Sequence, residues 1–203
     1  MTTILMIRHA DNDLIGKRLA GRLPNIHLNQ HGQEQAKSLA QYLSHLPISQ
    51  IYCSPLERTY ETGLPLSKAL SIPVIKNDAF IEIDYGDWQG KIIKDLYKLP
   101  EWKELMSNAE GFKFPRGESL IDAQKRSITE VLNITKDRPK EDMIACITHG
   151  DIIRLSLSYF LNMRFNDYHR FEIHTASISA ITLTNEIPQI SRINLQPIEK
   201  LQI

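Results

Sequence analysis

Residues 4–7 read Ile-Leu-Met-Ile, four apolar side chains in succession, and they end abruptly in Arg8-His9. A strand with one wet face alternates apolar and polar residues. A short unbroken apolar run is the pattern of a strand covered on both faces, as in sheets flanked by helices. The run "DMIACITH" (142–149) repeats the pattern and again ends in histidine. Between them, Ala36, Leu39, Ala40 and Leu43 recur at helical spacing, "QIYCS" (50–54) reads as a second strand, and a helix is expected over residues 55–70 with Pro55 in its first turn. "IPVIK" (72–76) is a further short strand. Residues 77–117 are broken by glycine and proline, with helical pieces expected in "KIIKDLYK" and "EWKELM". A long helix follows Ser119, and another follows Gly150. "FEIH" (171–174), "SISAITLT" (177–184) and "QISRINL" (189–195) read as later strands. Strands alternating with helices predict an α/β fold, a three-layer αβα sandwich around a mainly parallel central sheet.

With 203 residues and no repeat, low-complexity block or linker, the chain is expected to form a single domain over 1–203. Lys+Arg and Asp+Glu both number 24, so no global field draws it to nucleic acid or to an anionic membrane. Any attraction for an anion must come from a local cluster. No signal pattern opens the sequence and no apolar run could span a bilayer, which predicts a cytoplasmic protein. Cys53 and Cys146 stand alone in apolar runs and are expected to be buried, inert thiols rather than a disulfide or a metal knuckle. "NIT" (133–135) matches a glycosylation acceptor, without meaning in a cytoplasmic protein.

In open α/β sheets ligands bind beyond the carboxyl ends of the strands. Three polar signals fall there: Arg8-His9 after the first strand, "SPLER" with Arg58 after the second, and "THGD" with His149 after the fourth. Two guanidiniums and two imidazoles crowded together call for an anion to balance them. Guanidinium forks match phosphate oxygens, and a neutral imidazole beside such a cradle has a lone pair with which to attack phosphorus. Chemistry alone leaves the proton donor open among Glu82, Asp84 and Asp87. His27 and His31 stand at i and i+4 but lack the glutamate of a zinc-protease helix, so no metal site is expected there. Gly16-Lys17 and Gly90-Lys91 lack the flanking residues of a phosphate loop, and no G-x-S-x-G motif is present.

"RHADN", "SPLERTYET", "EIDYGDWQG", "PRGESL" with Arg126, and "THGDIIR" resemble, in order, the motifs of the histidine phosphatase (phosphoglycerate mutase-like) superfamily. The resemblance implies that His9 is a nucleophile forming a phosphohistidine, that Arg8, Arg58 and His149 hold the phosphoryl oxygens, and that Glu82 is the general acid. It implies a metal-independent phosphomonoesterase acting on a small phosphorylated metabolite, with no cofactor. The family's mutases carry Asn six residues after the nucleophile, where this chain has Ile15, and a long basic insertion after the acid motif, where residues 91–114 are short and mixed in charge. A hydrolase is therefore expected ahead of a mutase, and ahead of a phosphate-recognising module without turnover. In the basic stretch "GKRLAGRLP" (16–24), Lys17 and Arg18 are expected to be solvated; Arg22, and similarly Arg116, are expected as additional contacts to an anionic substrate.

Overall fold

The computed structural model describes residues 1–139, 141–184 and 187–197. Six strands form one sheet: β1 (Thr2–Arg8), β2 (Ile48–Cys53), β3 (Val74–Lys76), β4 (Asp142–Thr148), β5 (Ile178–Leu183) and β6 (Gln189–Leu195), in the order β3-β2-β4-β1-β5-β6. The pairs β2–β3, β2–β4 and β1–β4 are parallel, while β5 pairs antiparallel with β1 and with β6. The apolar runs predicted to be covered on both faces, β1 and β4, are the two central strands.

Alternation within those strands divides the core. Leu5, Ile7, Cys53, Ala145 and Ile147 pack on one face against α1 (Gln30–Leu43) and α2 (Glu57–Leu70) through Leu39, Leu43 and Leu66. Ile4, Met6, Ile144 and Cys146 pack on the other against α5 (Leu120–Thr135) and α6 (Gly150–Phe160) through Ala123, Val131, Ile152 and Leu155. Both cysteines are free thiols with no exposed surface, and burial pushes the Cys53 thiol up to about 12 and Cys146 well above its ordinary value. The three-layer expectation holds.

Local chemistry accounts for the element ends. Asn29 caps α1 by accepting from the Gly32 amide, and Ser119 caps α5 by accepting from Asp122. Helix α2 begins two residues after Pro55, at Glu57, and carries Pro65 inside it. Residues 77–118 contain only short helical pieces, including α3 (Ile93–Leu96) and α4 (Pro100–Ser107), gathered around Trp88, which contacts Trp102, Phe112 and Phe114. "FEIH" is not a strand. Two of its carbonyls are taken by arginines, Phe171 O by Arg154 Nε at 2.8 Å and Ile173 O by Arg8 Nη1 at 2.5 Å, and the segment lies outside the sheet. Among the described residues no helix is long and apolar enough to cross a membrane.

Candidate active site

The carboxyl ends of β1, β2 and β4 meet at a cleft of about 190 Å³ whose wall includes Arg8, His9, Arg58 and Glu82. His9 follows β1 directly and is 4% exposed. Its Nδ1 lies 2.8 Å from the Ala10 carbonyl oxygen. A carbonyl can only accept, so Nδ1 carries the proton and Nε2 keeps its lone pair. Burial, then Arg58 and Arg8, hold the imidazole well below its ordinary value, so it is neutral near pH 7. The loop after His9 is pinned to α2, because the Ala10 amide donates to Thr62 Oγ1 at 2.9 Å while that hydroxyl donates to the Arg58 carbonyl.

His149 follows β4 and is fully buried, its ring centroid 5.3 Å from that of His9. Arg58 Nη2, which can only donate, lies 3.2 Å from His149 Nδ1, so that nitrogen accepts and Nε2–H donates to Ser54 Oγ at 2.8 Å. Burial, then Arg58 and His9, hold this imidazole well below its ordinary value too.

Arg58 is 1% exposed and spends Nη2 on His149 and on the Gly21 carbonyl at 2.7 Å. Its Nε and Nη1, and Nε of Arg8, are buried with no hydrogen-bond partner among the described residues. Burial lowers both guanidiniums from their ordinary value, yet a guanidinium remains charged at any working pH. Three buried, unpartnered N–H donors on two cations make a strong anion receptor, since a donor left without an acceptor costs about 1–3 kcal/mol. The amino end of α6 adds to the same wall through Gly150 and Asp151.

Glu82 is 8% exposed, with its carboxylate 3.9 Å from His149 Nδ1. Burial, followed by the charge of Asp151, raises it to about 7. Of the carboxylates left open by chemistry alone, Asp84 turns back to accept from the Gly86 amide and Asp87 pairs with Arg116. A clamp fixes the backbone at Glu82. Arg22 Nε and Arg126 Nη2 both donate to the Glu82 carbonyl, at 2.8 and 3.2 Å, and both arginines pair with Glu118, which also accepts from the Asp84 amide. Gly86 and Gly117 let the two loops touch backbone to backbone: a Cβ on Gly117 would stand 2.2 Å from the Asp84 carbonyl oxygen.

Five of the seven residues singled out in the sequence thus converge. Arg22 lies behind the acid, its guanidinium committed to Glu82 and Glu118 rather than turned to the cleft. Arg116 has its side chain 83% exposed against Asp87. Arg18, expected to be solvated, is exposed at the rim of the cleft, where it donates to the Gly90 carbonyl. Sequence reasoning also missed Ser54, Thr62, Asn12 and the chain Tyr85–Asp151–Arg154, in which Tyr85 donates to Asp151 at 2.5 Å and Arg154 pairs with it at 2.8 Å. Thr62, four residues after Arg58 on one helix, and Asp151, two after His149, were findable from spacing.

The profile of the histidine phosphatase superfamily (branch 1) matches residues 4–196, and the chain belongs to that family. Phosphoserine phosphatase 1 of Hydrogenobacter thermophilus is 29% identical over 197 residues, covering 96% of this chain and 93% of its own. A 2,3-bisphosphoglycerate-dependent phosphoglycerate mutase of Thermoplasma acidophilum is 26% identical, covering 89% and 87%. Among solved structures, phosphoserine phosphatase from Entamoeba histolytica in complex with 3-phosphoglyceric acid superposes with a TM-score of 0.83 at 25% identity, over 95% of this chain and 96% of that one.

Proposed function

We propose that the protein is a single-domain, cytoplasmic phosphomonoesterase that acts on a small phosphorylated metabolite through a phosphohistidine on His9. The observation that carries this reading is the neutral imidazole whose Nε2 keeps its lone pair, set among buried guanidinium N–H groups that lack acceptors among the described residues. Arg8 and Arg58 take the phosphoryl oxygens. A substrate that arrives as its monoanion can leave its proton on His149 Nδ1, turning that nitrogen from acceptor to donor, and the proton departs again with orthophosphate. His9 Nε2 attacks phosphorus, the ester P–O bond breaks, and Glu82, whose carboxyl is raised to about 7 by burial, gives its proton to the leaving oxygen. The resulting carboxylate then takes a proton from water as its oxygen attacks phosphorus. The P–N bond breaks, orthophosphate leaves, and His9 and Glu82 return to their starting states. The positive charge needed by the transferring group comes from fixed arginines, so the reaction is expected to run without metal.

The activities named for the relatives, and the exposed guanidinium of Arg18 at the cleft, support an ester that carries a second anionic group. Phosphate release from a panel of phosphorylated metabolites, with chelator present, tests the reading together with detection of an acid-labile, alkali-stable phosphohistidine after an alkaline quench. Vanadate-sensitive release with a labelled His9 is expected. Transfer of phosphate to a second hydroxyl instead of release would make the protein a mutase, and absence of both turnover and adduct would remove catalysis from the site.

A further inference from the structure

Asn12 is 3% exposed and lies in the same cleft wall as His9 and Arg58. Its Oδ1 accepts from the Leu14 amide at 3.0 Å, an Asx turn that closes the loop after the nucleophile. That bond also fixes which end of the side-chain amide is which, because a backbone N–H must face oxygen and not NH2. The NH2 group is therefore the free end, and Nδ2 is buried without a partner among the described residues. In this it matches Arg8 Nε and Arg58 Nε and Nη1, the buried donors of the same cleft. Of the carboxylates that share the wall, Asp151 accepts from Tyr85 and Arg154 and Glu82 Oε1 from the Ile83 amide, and among the described residues neither accepts from Asn12 Nδ2.

We propose that Asn12 Nδ2 is a fourth fixed donor to the transferring phosphoryl group, bonding one of its non-bridging oxygens beside the arginine forks. The assignment rests on the phosphatase reading above and deepens it. Charge in phosphoryl transfer spreads over three equatorial oxygens, and two guanidiniums reaching in from β1 and α2 leave room for a donor from the loop between them. An amide is suited to the position: it supplies a directed N–H without adding a third cation next to an imidazole that has to stay neutral. The turn holds the side chain before substrate arrives, so the donor is pre-organised and costs no reorganisation during the reaction.

Asn12→Ser and Asn12→Asp separate this role from a structural one. Serine and aspartate can both accept from Leu14 and keep the turn, serine with an oxygen too short to reach where Nδ2 stands, aspartate with an anion in its place. Binding of inorganic phosphate and of vanadate is measured by titration, alongside kcat, KM and thermal unfolding. Both variants are expected to unfold within about 3 °C of the wild type. Asn12→Ser is expected to weaken vanadate about 10- to 100-fold, and phosphate less, because the trigonal vanadate mimics the state the donor serves. Asn12→Asp is expected to lose more than 100-fold, by repulsion of the anion. Wild-type affinity for vanadate in Asn12→Ser overturns the assignment, as does an equal loss that tracks a fall in unfolding temperature. Failure of the wild type itself to bind vanadate or form an adduct strikes the reading of the whole site instead, so the two failures are distinguishable.

Discussion

The proposed phosphate cradle and the proposed acid, Glu82, are built by opposite means. Arg8, His9 and His149 come straight off the two central strands, and Arg58 off the first turn of a helix packed on them, so the hydrogen-bonded sheet sets their positions. Glu82 belongs to a stretch without strands, and its place is set by side chains reaching across the fold: Arg22 and Glu118 meet although 96 positions separate them in the chain. Strand ends give rigid positions to charges that have to be spaced correctly. A clamp of side chains on a loop carbonyl gives Glu82 a low-dielectric seat while, among the described residues, no arginine bridges its carboxyl, and burial allows it to hold a proton near neutral pH.

Breaking the cradle is expected to have the largest effect. His9→Ala should lower turnover by more than about 10³-fold and abolish the acid-labile adduct, with little change in phosphate affinity, because the guanidiniums remain. Glu82→Gln should cost about 10²–10⁴-fold on alkyl phosphates and far less on aryl phosphates, whose leaving groups need no proton. In the wild type the alkaline limb of kcat/KM should fall near pH 7, where Glu82 ionises, and the acid limb below 6.5, where His9 protonates. The same burial carries a stability consequence. A carboxyl raised from 4.5 to about 7 contributes stability that is fully present below pH 4.5 and is lost as pH rises to about 7. At pH 8 Glu82→Gln should therefore unfold later than the wild type, by on the order of 3 kcal/mol, although it is nearly inactive.

Loosening the clamp should have intermediate effects that sharpen the contrast. Arg22→Ala and Glu118→Gln should lower kcat about 10- to 100-fold with KM changed little, and on neutral and acidic esters alike, as expected of residues that position the acid. A selective rise in KM for acidic esters would return Arg22 to a substrate contact. Gly117→Ala should cost about 1–3 kcal/mol in denaturant titrations by forcing the two loops apart. The smallest effect is expected from Arg116→Ala: its ion pair with Asp87 is exposed, and activity should stay within about twofold.

Much of the cradle was legible because period and polarity coincide at strand ends. An unbroken apolar run announces a covered strand, and the first polar residues after it can only be at the sheet's edge, which placed Arg8, His9 and His149. Glu82 was different: three carboxylates within six residues were chemically equivalent, and only the family resemblance chose among them. "FEIH" misled because alternation is also the pattern of an extended segment whose carbonyls serve arginine side chains. Arg22 was read as a substrate contact since nothing local reveals a partner almost a hundred residues away. Asn12 went unremarked because an Asx turn after a strand is an ordinary reading of that residue, and only the orientation of its amide shows a donor left over.

The two cysteines give the molecule a built-in clock. Cys53 lies under the α1–α2 layer and Cys146 under the α5–α6 layer, so each sulfur is shielded by a different half of the protein. Only a thiolate attacks a disulfide reagent, and burial raises both thiols far above their ordinary value while their layers are closed. Labelling rates at the two positions therefore time how often each layer lifts from the sheet, and comparing single-cysteine variants would reveal whether the halves open together or one ahead of the other.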